Sequence, residues 1–170
     1  MVATDVTIRE FQPGDEHAFR RLNEEWINRY FAMEPKDEES LADPRTTILD
    51  RGGKIFLAFW NGQAVGCCAL LAGDPGEFEV AKMAVTTAFQ RSGIGRRLLE
   101  KAIVEARVSG ARRLYLETNQ KFAPAIRLYE SFGFRHVPPE RLVPSSYARS
   151  NVSMELFLTE GDSNPDRPAV

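Results

Sequence analysis

The chain reads as a single α/β domain built on a mixed sheet, and three observations carry that reading. Strand-like and helix-like periodicities follow one another in the order β-α-(α)-β-β-β-α-β-α-β-β. Three strand-like runs stand in a row before the central helix, which calls for antiparallel pairing and excludes the strict alternation of a doubly wound sheet. The length, 170 residues, fits one domain and leaves little room for a second.

Residues 5–11 alternate apolar and polar, as a half-buried strand does. Pro13-Gly14 breaks the run, and Asp15 and Glu16 suit the positive end of a helix. In that helix Phe19, Leu22, Trp26 and Tyr30 recur at helical spacing, with Ile27 and Phe31 widening the stripe. Residues 33–50 are acidic and interrupted by Pro35 and Pro44; they read as a loop holding one short helix near 37–42. Two apolar runs, 54–60 and 63–72, flank Asn61-Gly62, the pair that best tolerates the positive φ angles of a type I′ hairpin turn. After the turn at 73–76, residues 78–86 form a strand with apolar residues on both faces. Leu98, Leu99, Ala102, Ile103 and Ala106 make one stripe of a helix over 93–108, and Gly110 suits its C-terminal cap. A strand at 113–118 precedes a second helix marked by Phe122, Ala125, Ile126 and Tyr129; Pro124 is tolerated there only in the first turn, and Gly133 ends it. The last strands are 134–137 and 152–158. Residues 159–170 are polar with two prolines, so the domain is expected to span 1–158 with a flexible tail behind it.

Lys and Arg total 22 against 24 Asp and Glu, for a net charge of −2. A protein that coats itself in phosphate backbone usually carries a basic excess, so the composition argues against nucleic acid as the main partner and leaves room only for a local basic spot. Cys67 and Cys68 are neighbours that would point to opposite faces of a strand, a poor disulfide pair, and a reducing compartment fits them. His17 and His136 stand alone, and no spacing resembles a metal site. The first ten residues lack a basic start followed by an apolar run, and no apolar stretch reaches the length of a membrane helix. These features lead to the expectation of a cytoplasmic protein without metal or membrane.

The segment richest in chemistry is 85–99, Val-Thr-Thr-Ala-Phe-Gln-Arg-Ser-Gly-Ile-Gly-Arg-Arg-Leu-Leu. A strand ends, a short loop follows, and two glycines open an amphipathic helix. Free N–H groups at a helix start bind anions, and glycine lets a ligand approach the backbone. Arg91, Arg96 and Arg97 crowd the same end, where cations are unfavourable unless an anion joins them. The pattern asks for phosphate or pyrophosphate. A Rossmann fingerprint would need a third glycine where Leu98 stands, and the Gly-Lys-Ser/Thr of a P-loop is absent. Glycine spacing alone leaves open a helix start with solvated arginines.

Gln90-Arg91-Ser92-Gly93-Ile94-Gly95 resembles the acetyl-CoA signature of the GNAT superfamily of N-acetyltransferases, Gln/Arg-x-x-Gly-x-Gly/Ala. Ala125-Ile126-Arg127-Leu128-Tyr129-Glu130-Ser131-Phe132-Gly133-Phe134 resembles its second hallmark, Ala-x-x-Leu-Tyr-x-x-x-Gly-Phe. The interval between them and the strand order also suit that family, over roughly residues 5–158. Many relatives carry glycine where Arg91 stands, and asparagine where Phe122 stands; Asn119 lies three residues earlier.

The resemblance implies a GNAT-like, mostly antiparallel sheet flanked by helices, acetyl-CoA as cosubstrate, and direct attack of an amine on its thioester. By the same likeness, Gln90, Arg91, Ser92, Gly93, Ile94, Gly95 and Arg96 meet the pyrophosphate. Met83, Ala84 and Val85 meet the pantetheine arm, and Asn119 offers a polar contact. An alkylammonium has a pKa near ~10.4, so a base is needed. Glu79 is the candidate, sharing a face with Ala81 and Met83 by period-2 counting, with Glu117 second. Tyr129 is the candidate acid for the departing thiolate, set against an ordinary core tyrosine. Trp26, Tyr30, Glu34, Tyr147, Arg149 and Asn151 are the acceptor-site candidates, Arg149 for a carboxylate and Glu34 for an ammonium. The leading acceptor is a small primary amine. A protein lysine or N-terminus, and a CoA-binding sensor without catalysis, stay as alternatives, and a homodimer is a family-level expectation.

Overall fold

The computed structural model describes residues 5–158; the tail expected at 159–170 lies outside the described residues. Strands β1 (Val6–Glu10), β2 (Lys54–Trp60), β3 (Gln63–Ala72), β4 (Glu77–Val85), β5 (Arg113–Thr118), β6 (Arg135–His136) and β7 (Val152–Phe157) form one sheet. Its order is β1-β2-β3-β4-β5-β7-β6. Every neighbouring pair is antiparallel except β4 and β5. The helices are α1 (Glu16–Tyr30), α2 (Pro35–Ala42), α3 (Ile94–Val108) and α4 (Ala123–Ser131). The mixed, mostly antiparallel sheet expected from the element order is the one observed.

Two apolar layers hold it. On one face Phe19 and Leu22 of α1 and Leu41 of α2 pack against Ile55, Leu57, Cys67 and Ala69. On the other, Leu98, Leu99 and Ala102 of α3 and Tyr129 of α4 pack against Phe56, Cys68, Leu70, Leu116 and Met154. Each fully buried Leu or Phe contributes about 1.5–3 kcal/mol by leaving water. Asn61 and Gly62 adopt the expected left-handed angles, φ +46° and +76°.

The sequence reading needs two corrections. Residues 33–50 hold more helix than the short piece expected. Pro35 is not an interruption but the first residue of α2, where a missing N–H costs nothing. Glu34 and Asp37 close a capping box across that start, each side chain accepting the other's backbone N–H. A π-helical turn, Arg45–Leu49, follows.

The second correction concerns β4. Cys67 lies opposite Ala84 while Ala69 lies opposite Ala81, so β4 carries one residue more than β3 there. The extra residue is absorbed at Lys82, whose φ is +53°. A bulge resets side-chain alternation. Met83, expected on the face of Glu79, instead packs with Phe78, Val80 and Val85 toward α3 and α4. Lys82 takes its place on the α2 face, where it reaches Asp37.

Candidate active site

The parallel pairing of β4 and β5 covers only Glu77–Glu79 against Arg113–Tyr115. Beyond it β4 runs on to Val85 and β5 to Thr118, so the two strands part at their C-terminal ends. Backbone N–H and C=O groups on the parted edges need partners. At the end of β4, Gln90 donates its side-chain amide to the Val85 carbonyl (3.1 Å). Glu25 of α1 accepts from the Thr86 hydroxyl (2.9 Å) and the Thr87 amide (3.0 Å), fixing the turn that follows.

That turn leads to the start of α3. Gly93 is the N-cap, with φ +85°, and no side chain caps the helix. The first ladder bond runs from the Arg97 amide to the Gly93 carbonyl, leaving the N–H groups of Ile94, Gly95 and Arg96 without helical partners. Ser92 donates its hydroxyl to the Phe89 carbonyl, closing the turn. A Cβ at Gly95 would meet nothing closer than 3.8 Å, so protein packing does not require glycine there; close approach of a ligand would. Arg91 is exposed, with no partner among the described residues. Arg96 donates to the Ser131 hydroxyl (3.0 Å) and lies 5.0 Å from the Phe132 ring.

Across the sheet a buried charge network ties three elements together. Asp37 of α2 is fully buried. It accepts from Lys82 Nζ (3.1 Å) and from both terminal nitrogens of Arg149 (2.6 and 2.7 Å). Burial works to raise the Asp37 pKa. Hydrogen bonds from Arg149, from the Glu34 amide and from Lys82 overcome it and hold the carboxyl at about 2. Lys82 also donates to the Tyr147 hydroxyl (3.1 Å), and burial pulls its ammonium below the usual lysine range despite Asp37. Arg149 also pairs with Glu34 (3.2 Å) and lies 4.5 Å from the Tyr147 ring and 5.5 Å from the Trp26 ring. The charges expected to meet an acceptor, Arg149 and Glu34, are therefore spent on the chain itself.

The remaining candidates divide. Asn119 donates its amide to the Arg149 carbonyl (2.7 Å) and accepts from the Lys121 amide (2.9 Å), and Asn151 accepts from the Gln120 amide (2.9 Å); both build the loop before β7. Trp26, Tyr30 and Phe31 pack edge-on against Phe122, with ring centroids 5.2–6.2 Å from it. The end of α1 thereby meets the segment after β5, and the Trp26 indole N–H is buried without a partner among the described residues. The hydroxyl of Tyr129 makes no hydrogen bond within the described residues, although its ring is buried. Burial, and then the neighbouring Cys68, push its pKa upward, so it stays protonated. Burial holds the Cys67 thiol at about 12, which fits inert packing.

Glu79 lies beside the parting of β4 and β5, and its carboxylate has no hydrogen-bond or ion-pair partner among the described residues. Burial, then the charge of Glu117, raise its pKa to about 7 against the opposing pull of Lys36 and Lys82. Glu117 itself accepts from the Ser145 hydroxyl (2.6 Å). A cavity of about 250 Å³ opens at Glu79, lined also by Lys82 and Tyr147. Lys82 and Asp37 are the residues that sequence reasoning missed. The available signal was a lone lysine in the apolar run 80–85, which needs a buried counter-charge.

Residues 18–134 match the acetyltransferase (GNAT) family. The chain is 33% identical over 132 residues to the IAA acetyltransferase of Azospirillum brasilense, covering 76% of this chain and 84% of that one. It is 39% identical over 93 residues to the uncharacterized N-acetyltransferase YsnE of Bacillus subtilis; that match covers 52% of this chain and spans 62% of the relative's length. Among solved structures, a GNAT acetyltransferase from Staphylococcus aureus Mu50 superimposes with a TM-score of 0.82 at 23% identity, over 91% of this chain and 99% of that one. YncA, a putative acetyltransferase from Salmonella typhimurium solved with its cofactor acetyl-CoA, superimposes with a TM-score of 0.70 at 25% identity, over 91% and 95%.

Replacing Asp37 with Asn strands the buried Lys82, leaves Arg149 with Glu34 alone, and should destabilise the fold by about 3–5 kcal/mol at pH 7. Because the folded pKa lies below the unfolded one, the native contribution is complete above pH ~4 and fades as pH falls toward 2. Urea melts at pH 7 and pH 3 should show the gap between native and D37N narrowing in acid; an equal gap at both values would contradict the network.

Proposed function

The chain belongs to the acetyltransferase (GNAT) family, and we propose that it transfers acetyl from acetyl-CoA to the primary amine of a small molecule by direct attack. The observation that carries this reading is Glu79, an unpartnered carboxylate with a pKa near 7 at the mouth of a cavity, beside the point where β4 and β5 part.

Acetyl-CoA supplies an acyl carbon on a good leaving group. The free N–H groups of Ile94, Gly95 and Arg96, with the cations of Arg91 and Arg96, would hold its pyrophosphate within the turn that Gln90, Ser92 and Gly93 shape. The open edge of β4 at Met83, Ala84 and Val85 would pair with the amide-bearing arm. Glu79 accepts a proton from the acceptor's ammonium. Raising its carboxyl from 4.5 to about 7 makes that transfer less uphill by roughly 3 kcal/mol. A C–N bond forms as the C–S bond breaks, Tyr129 gives its proton to the sulfur, and the second proton of the acylated nitrogen leaves to solvent, from which Tyr129 is reprotonated. A cavity of about 250 Å³, bordered by a loop tied down at Arg149 and Tyr147, favours a small acceptor over a protein segment.

Three variants test the parts. Gly95→Asp puts bulk and negative charge at the start of α3; acetyl-CoA affinity should fall more than tenfold in a chain that still folds. Unchanged affinity by calorimetry would remove the turn as the pyrophosphate site.

For the base, native kcat/KM should rise through about pH 7 as Glu79 loses its proton. Glu79→Gln should abolish that limb while leaving acetyl-CoA binding intact, so its deficit should grow from pH 6 to 8 and shrink only toward the amine pKa of ~10.4, where more amine is already neutral. A deficit constant from pH 6 to 9 would make Glu79 structural.

Tyr129→Phe keeps the ring and removes the hydroxyl. Turnover should drop by roughly 10²–10⁴-fold with little change in acetyl-CoA affinity. Near-native turnover, together with a CoA-bound structure placing the hydroxyl out of reach of sulfur, would return Tyr129 to the core.

A further inference from the structure

We propose that the acceptor is an aminocarboxylic acid, its amine at Glu79 and its carboxylate on Lys36 and Arg51; this rests on the acetyltransferase reading and narrows it to a substrate class. The cavity at Glu79 lies on the α2 face of β3 and β4 and is bounded by Lys36 from α2 and Arg51 from the turn after Arg45–Leu49. The deeper cations nearby, Lys82 and Arg149, already have Asp37 and Glu34. Lys36 and Arg51 have no carboxylate partner among the described residues. Lys36 donates to the Ser146 hydroxyl (2.5 Å) and lies 5.1 Å from the Tyr147 ring, which aims it along the cavity wall without neutralising it.

One cavity thus offers a carboxylate without a hydrogen-bond partner and two cations without an ion-pair partner among the described residues. Glu39, the other carboxylate in the lining, is exposed, as Lys36 and Arg51 are, and forms no ion pair among the described residues. A simple amine would leave Lys36 and Arg51 to solvent, whereas a molecule with an amine and a carboxylate meets both signs with charge-assisted hydrogen bonds. Ile48 and Leu71 also line the cavity and suit methylenes. Since a water takes about 30 Å³ of the liquid, the cavity corresponds to roughly eight waters, the scale of a free amino acid.

The test compares glycine, β-alanine, 4-aminobutyrate and lysine, each with its carboxamide, by calorimetry on the CoA-saturated protein and by acetylation rate. At least one acid should bind tenfold or more tighter than its amide, with a matching kcat/KM ratio. In Lys36→Met, Arg51→Met and the double variant, checked for native circular dichroism, that ratio should fall toward one. Acids and amides that bind equally, or a ratio that survives in the double variant, overturn the proposal. An acid preference in binding with no transfer to any amine upholds the aminocarboxylate site and overturns the acetyl-transfer reading. Transfer to amines without acid preference does the reverse.

Discussion

The ammonium of Lys82 stands 3.1 Å from Asp37 and 3.1 Å from the Tyr147 hydroxyl, on a strand in the middle of the sheet. A charge in that position cannot be left alone, because its desolvation would outweigh anything the strand gains by packing. Its partners come from α2 and from the loop before β7, so three distant segments are held at one point. The backbone is involved as well. Lys82 sits in the left-handed region, which costs an L-residue on the order of 1–2 kcal/mol, and its side-chain bonds help offset that cost. The bulge, the position of α2 and the course of the acceptor-side loop are therefore one structural decision.

The two sides of the site differ in how they are built. The turn into α3 is local: its shape follows from a left-handed Gly93, an uncapped helix start and hydrogen bonds within a few residues. The charge network on the α2 face is assembled across long sequence distances, as the pairs Asp37–Arg149 and Glu34–Arg149 show. Changes in that network need not disturb the turn into α3. The chain keeps charge inside that region, but most of it is mutually neutralised. Glu79, Lys36 and Arg51 make no ion pair among the described residues and all line the same cavity.

The sequence by itself determined whatever rests on local repetition. Alternation marked β1, apolar runs marked β2 and β3, the 3.6-residue stripes marked α1 and α3, and Asn61-Gly62 marked the hairpin, because each reflects the geometry of a few adjacent residues. The glycines opening α3 and the tyrosine of α4 were legible for the same reason. Tertiary structure decided where local counting had no information. Whether β4 keeps strict alternation depends on its pairing with β3, so the bulge that exchanges Met83 for Lys82 beside Glu79 could not be counted from the strand alone. Arg149 and Glu34 looked free because nothing in their neighbourhoods shows that Asp37 and Arg149, 112 residues apart in the chain, are in contact. The raised pKa of Glu79 likewise comes from burial and from Glu117 on another strand. Electrostatic pairing acts through space, and only the folded chain says which charges are already answered.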